Sequence, residues 1–172
     1  METVKTIWTI GHSTLEFEKF VEILRSFRIE VVADIRHYPG SRKFPQYNSE
    51  ALNELLKQAG IDYISFVELG GRRKPKPDSK NGIWRSDAFR GYADYMETDA
   101  FLAGIRRLTD TARQSRTAYM CAEAVWWRCH RALVSDLLKS EGWQVMHIMK
   151  NNTAVEHPYT AAYLEANIQK EK

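Results

Sequence analysis

The stretch KTIWTIGHSTLEFEKFVEILRSFRIEVVADIR, residues 5–36, decides the fold class. Its first six residues, 5–10, form a short apolar run rich in β-branched side chains that stops at Gly11, the pattern of a buried strand. Ser13-Thr14-Leu15-Glu16 matches a capping box, with Ser13 as N-cap and Glu16 at the third helical position. Phe17, Phe20, Val21, Leu24 and Phe27 follow at helical spacing, which predicts an amphipathic helix over 14–27. EVVADIR, 30–36, returns to strand character.

The alternation continues outward from there. HYPGSRKFPQYN, 37–48, is a loop punctuated by prolines. Leu52, Leu55, Leu56 and Ala59 mark a second helix that Gly60 stops, and DYISFVEL, 62–69, reads as a third strand. GGRRKPKPDSKNG, 70–82, is basic, proline-broken and long enough to suggest a functional or disordered surface loop. A short helix is expected within 84–97, and Asp99 caps the next, whose apolar positions are Phe101, Leu102, Ile105 and Leu108. TAYMCAE, 117–123, is a fourth strand; Leu133, Val134, Leu137 and Leu138 mark the helix after it, ending at Gly142. WQVMHIM, 143–149, is a fifth strand, and a terminal helix is expected over 159–169 behind Pro158.

Strands alternating with helices imply a single α/β domain: a mostly parallel sheet of about five strands with helices on both faces, residues 150–172 forming a C-terminal extension or helix. At 172 residues the chain falls short of the roughly 250 of an eight-fold barrel, which favours an open sheet.

Composition narrows the function classes. The chain is 44% hydrophobic, enough for a core, yet no run approaches the ~18–20 apolar residues of a membrane span. The N-terminus lacks the apolar run and small-residue site of a signal peptide, so a cytoplasmic protein without membrane partners is expected. Two cysteines are too few for a secreted disulfide framework. A net charge of +3 permits phosphate-bearing partners without requiring them.

In an open parallel sheet, ligands bind outside the carboxyl ends of the strands. Those ends carry Gly11, His12 and Ser13; Asp34, Arg36 and His37; Glu68 and Arg72; Cys121 and Glu123; and His147 and Lys150. The densest group is CAEAVWWRCHR, 121–131, which holds both cysteines, Trp126, Trp127, Arg128, His130 and Arg131. A helix starting near Cys129 would offer it unpaired N–H groups, a partial positive charge and cationic neighbours, each of which lowers a thiol pKa. Cys129 is therefore the better thiolate and Cys121 its partner within reach. The competing structural reading is that Cys121 is packing, since cysteine is among the most buried residue types.

Other readings are weaker. C-x7-C-H fits no common zinc-ligand spacing, and C-x6-R is one residue longer than the phosphate cradle of cysteine phosphatases. Trp126 and Trp127 either fill core or form a stacking platform for a base. Ser13 is expected as a cap, and Asp34 and Arg36, on one side of a strand, as an ion pair. The basic stretches 41–43 and 72–80 would ring the rim with positive charge.

TIGHST, VVADIRHYPGSR, YISFVELGGR and CAEAVWWRCHR, in this order and covering about 7–149, resemble the bacterial family of domain of unknown function 488. The resemblance implies an α/β fold and a shared site at Gly11, His12, Ser13, Asp34, Arg36, Cys121, Ala122, Glu123, Cys129, His130 and Arg131. It supplies no reaction; some relatives carry a DNA-repair label. This chain departs from the family between Glu123 and Cys129, where relatives usually have polar or proline-containing residues, which points to a flatter or more apolar ligand.

The leading expectation is a thiol-dependent enzyme acting on a phosphate-bearing substrate, a nucleotide or nucleic acid, with no cofactor called for. Cys129 would be nucleophile or redox thiol, Cys121 the second thiol, and Glu123 or His130 the proton carrier. Arg36, Arg128 and Arg131 would hold the anion, with His12, Ser13, Asp34, Trp126 and Trp127 completing the substrate side. The alternatives are a non-catalytic nucleic-acid-binding module and a metal site built from the thiols with His130 or His12.

Overall fold

The computed structural model describes residues 4–37, 40 and 43–171. In chain order the elements are β1 (Thr6–Gly11), α1 (Phe17–Ser26), β2 (Val31–Asp34), α2 (Ser49–Gln58), β3 (Asp62–Ser65), α3 (Asp87–Tyr95), α4 (Asp99–Gln114), β4 (Thr117–Cys121), α5 (Arg131–Ser140), β5 (Gln144–Ile148), β6 (Ala154–Glu156) and α6 (Ala161–Glu171). The strands form one sheet in the order β3-β2-β4-β1-β5-β6, parallel throughout except that β6 runs antiparallel to β5. The expected α/β class is correct.

Alternation along the strands feeds two cores. Trp8, Ile10, Val32, Ala118 and Met120 pack with Phe20, Ile23 and Leu24 of α1 and Leu52 and Leu56 of α2. Ile7, Ala33, Tyr119 and Val145 pack with α3, α4 and α5 through Tyr92, Phe101, Ile105, Leu108, Leu133 and Leu138. Each fully buried side chain of this size contributes about 1.5–3 kcal/mol. The connection leaving β2 through α2 runs outward to β3, whereas that leaving β4 through α5 runs the other way to β5. Loops that part in this way open a crevice outside the carboxyl ends of β2 and β4.

Several boundaries differ from the sequence reading. Helix α1 begins at Phe17 rather than 14, and Ser13 is not its cap. Ser13 has φ 47°, in the left-handed region, whereas an N-cap needs extended backbone. Its N–H donates to the Ala122 carbonyl, and a turn from the Leu15 N–H to the His12 carbonyl follows, which delays the helix. Thr98, not Asp99, caps α4, its hydroxyl accepting from the Phe101 N–H. The third strand ends at Ser65, a 3-10 turn covering Val67–Leu69, and the fourth at Cys121, which leaves Glu123 on a loop.

The segment 150–172 is more than an appended helix, because β6 extends the sheet from within it. The basic 70–82 loop is ordered by one buried carboxylate: Asp94 accepts from the Lys76 N–H, the Ser79 hydroxyl and the Asn81 side chain. Of the basic stretch 41–43, residues 41 and 42 lie outside the described residues. Among the described residues, no helix is long and apolar enough to cross a membrane.

Candidate active site

The first requirement of the site is a close approach. A Cβ on Gly11 would sit 1.7 Å from the Glu123 carbonyl oxygen and 2.9 Å from Arg131 Nη2. Only glycine lets the loop after β4 lie across the end of β1. His12 and Ser13 then donate their backbone N–H groups to Cys121 and Ala122, stitching the two strand ends together.

Cys121 and Cys129 meet in the resulting loop, both free, with Sγ–Sγ 3.1 Å. Cys121 is buried beneath Cys129, and the carbonyl of Glu123 lies 3.6 Å from its sulfur. A 3-10 turn at Trp126–Arg128 ends just before Cys129, and α5 starts two residues later at Arg131. The Cys129 sulfur accepts the Arg131 backbone N–H and the Arg131 Nε–H, each at 3.4 Å. Burial alone would raise the Cys129 pKa. It is outweighed by the hydrogen bond from Cys121, the Arg131 and His130 charges and the Arg131 N–H, which together bring it down to about 5. Burial and the neighbouring sulfur push Cys121 the opposite way, well above the ordinary thiol value. One thiolate and one thiol share the site.

Arg131 supplies the decisive electrostatics. It is 1% exposed, and its guanidinium donates to Thr9 Oγ1 at 3.1 Å, to the Glu123 carbonyl at 2.6 Å and to that of Ala124 at 3.4 Å. All three acceptors are neutral, and among the described residues no carboxylate pairs with it. A buried charge without a counter-ion costs several kcal/mol. The Cys129 thiolate is the anion in contact with it.

Beside this pair lies a second cluster at the end of β2. Arg36 makes a forked bond to Asp34 through Nε at 2.8 Å and Nη2 at 2.7 Å, and Tyr63 adds its hydroxyl to the same carboxylate at 2.5 Å. Arg36 Nη1 donates to His12 Nε2 at 3.3 Å, so His12 carries its proton on Nδ1 and donates it to the Ser13 carbonyl at 2.9 Å. The ring stacks on Tyr47 at 4.1 Å. Burial, reinforced by the Arg36 charge, lowers the His12 pKa to about 4, so it is neutral. Among the described residues His12 and Arg36 hydrogen-bond neither sulfur; they buttress the loops from the adjoining strand ends.

The remaining expected residues separate. His130 donates from Nε2 to the Ile35 carbonyl at 2.7 Å and lies against Tyr92, with Nδ1 toward Gly71, where a Cβ would stand 3.0 Å away. Burial holds its pKa below the ordinary value. The Glu123 side chain and Arg128 are exposed. Trp126 is half-buried and stacked on His147 at 4.5 Å, while Trp127 is 50% exposed. Arg36 and Arg131, expected as anion clamps, have most of their donors committed inside the protein, which leaves Arg128 as the solvent-facing cation of the loop. On the far side of the Gly11 wall, a cavity of about 280 Å³ is lined by Ile10, Ser13, Leu15, Val125, Ile148 and Lys150.

Among the described residues, no three His, Cys, Asp or Glu side chains gather as a metal-binding group. Sequence reading missed Thr9, Tyr47 and Tyr63, which sit in apolar or aromatic patterns indistinguishable from core. Gly11 was read as a strand stop, and its role in the loop crossing has no local signal.

A family model described as "Domain of unknown function DUF488" matches residues 16–138. That span contains the Asp34–Arg36 cluster and the 121–131 loop and begins after the Gly11–Ser13 turn. No curated protein and no solved structure matches the chain.

Proposed function

Since the chain belongs to the domain of unknown function 488 family, a membership that brings no reaction with it, we propose from the site alone that the protein is a cytosolic thiol-dependent enzyme acting on a phosphate-bearing substrate. The supporting observation is the buried Arg131, whose one anionic contact among the described residues is the Cys129 sulfur. A thiolate held this way is a nucleophile at neutral pH without a general base. Cys129 attacks the electrophilic centre and expels its leaving group, water then breaks the bond to the Cys129 sulfur, and Cys121, 3.1 Å behind it, keeps the proton that stabilises the thiolate. His130 through Nδ1, or the exposed Glu123, carries a proton between solvent and the leaving group. Arg128 and the basic loop 70–82 supply the attraction for a phosphate.

The test is protection of Cys129. Alkylation of Cys129, read by peptide mass spectrometry, is compared with and without inorganic phosphate, nucleoside mono- and triphosphates and a single-stranded oligonucleotide. Slowing of at least about tenfold by one of these classes, with turnover lost in Cys129→Ser, is the expected result. Equal rates with every ligand would remove phosphate from the substrate class.

A nucleic-acid-binding module is the second reading, favoured by the exposed Trp127 beside Arg128, where a base could stack for about 1–3 kcal/mol. It predicts salt-sensitive oligonucleotide binding that survives Cys129→Ser.

A further inference from the structure

Behind Arg131, on the side away from the sulfur, lies a line of polar side chains that the thiol chemistry does not use. Thr9 Oγ1 is 2.6 Å from His147 Nδ1, His147 Nε2 is 2.8 Å from His157 Nδ1, and His157 Nε2 is 2.8 Å from Asp136 Oδ1. Thr9, His147 and His157 are 0% exposed and Asp136 2%. Asp136 is completed by the backbone N–H of Thr160 at 2.9 Å and its hydroxyl at 2.6 Å.

Proton counting fixes the direction of every bond. The Asp136 carboxylate only accepts and Arg131 only donates, so with one proton on each imidazole Thr9 Oγ1 accepts from Arg131 and gives its own proton to His147 Nδ1. His147 then bears its proton on Nε2 and donates to His157 Nδ1, and His157 donates from Nε2 to the Asp136 carboxylate. The line runs from a cation to an anion with no donor facing a donor. It requires a neutral His147, which burial, reinforced by the Arg131 charge, enforces. Trp126 seals the line by stacking on His147 within 4° of parallel and standing edge-on to His157. The tryptophan of the thiol loop and the segment after β6 thus meet on the same histidine pair.

We propose that Thr9, His147, His157 and Asp136 are positioning residues that lock the Arg131 guanidinium against the Cys129 sulfur, so that β5 and the segment following β6 are part of the reactive centre. The physical reason is that a guanidinium donates along fixed directions. Removing the acceptor on Nη1 leaves a buried donor unsatisfied, and the group must turn to recover a partner. Turning it moves Nε away from the sulfur. The other groups facing that sulfur are Cys121 from β4 and His130 from the turn before α5, and the same sulfur acts on Tyr92 of α3 and Tyr119 of β4. None of these changes when the line is cut.

The proposal rests on Cys129 being the reactive thiolate, and the experiment separates the two. The pH midpoint of Cys129 alkylation is measured for the wild type, Thr9→Val and Thr9→Ser. Thr9→Val, nearly isosteric but without the hydroxyl, is expected to raise the midpoint by about one unit, a tenfold change in the thiolate-to-thiol ratio. Thr9→Ser restores the hydroxyl and the wild-type midpoint. A folded Thr9→Val protein with an unchanged midpoint would overturn the positioning role while leaving the thiolate intact. Should Thr9→Val not fold, His147→Phe, which keeps the ring against Trp126 and removes both nitrogens, decides by the same midpoint. A wild-type midpoint near the ordinary ~8.5 would instead overturn the thiolate itself, and the proposal with it.

Discussion

Arg36 and Arg131 stand beyond the ends of the neighbouring strands β2 and β4, 8% and 1% exposed, and their charges are balanced by different chemistry. Arg36 has a carboxylate, Asp34, in a forked pair that a tyrosine completes. Arg131 has two carbonyls, a hydroxyl and a sulfur. A buried arginine with its own carboxylate is a brace, because nothing else near it has to ionise. A buried arginine without one imposes ionisation on the most acidic group in contact, here a thiol. Two arginines of similar burial therefore divide into a structural pair and a chemical pair.

The sharpest way to break that division is Arg131→Gln. It removes the cation, and the Cys129 midpoint is expected to move from about 5 to the ordinary ~8.5 in a pH titration of alkylation. Asp34→Asn makes the reciprocal cut. It strands Arg36 and is expected to cost about 3–5 kcal/mol in urea denaturation, with the Cys129 midpoint unmoved. Should that midpoint shift as far as in Arg131→Gln, the two clusters would be one electrostatic unit.

Gly11→Ala tests what holds the two strand ends together. The added methyl group meets the Glu123 carbonyl, and a stability loss of about 1–3 kcal/mol is expected, with a partial rise of the midpoint as the Glu123 bond to Arg131 is disturbed.

Linkage gives a further prediction. The Cys129 pKa is lower folded than unfolded, so its contribution to stability is present in full above about pH 8.5 and is lost as pH falls toward 5. The stability difference between wild type and Cys129→Ser should shrink over that window. His12 and His147, lowered to about 4 and about 2, destabilise both proteins alike below about pH 6.5 and cancel in the difference. The smallest expected effect is Trp127→Ala. An exposed side chain outside both clusters should change stability by no more than about 0.5 kcal/mol, and any loss should appear only in ligand protection of Cys129.

Periodicity carried most of the fold. The apolar spacing of Phe20, Val21 and Leu24 and the stops at Gly60 and Gly142 report local backbone physics, and the elements they mark are present. Ser13 failed as a cap because its backbone is left-handed, in a turn tied to Ala122 by a long-range bond that is absent from any short window. Three residues of β6 carry no period at all, so the sixth strand was invisible. For the site, the gathering of strand ends at one rim followed from the parallel sheet, and the proximity of Cys121 to Cys129 from the loop between them. Which arginine has a carboxylate could be read only for Arg36, whose partner is two residues away; the absence of one at Arg131, among the described residues, depends on how β1 and the loop after β4 meet.

The account stands most directly on the ionisation of one sulfur. Thiolate absorbance near 240 nm, followed from pH 4 to 10 in the wild type and in Cys129→Ser, isolates it. A difference titration centred near 5 is what a thiolate paired to Arg131 requires. A difference centred at or above about 8.5 would mean that Arg131 lies buried beside a neutral thiol, and the division between the two arginines would fail.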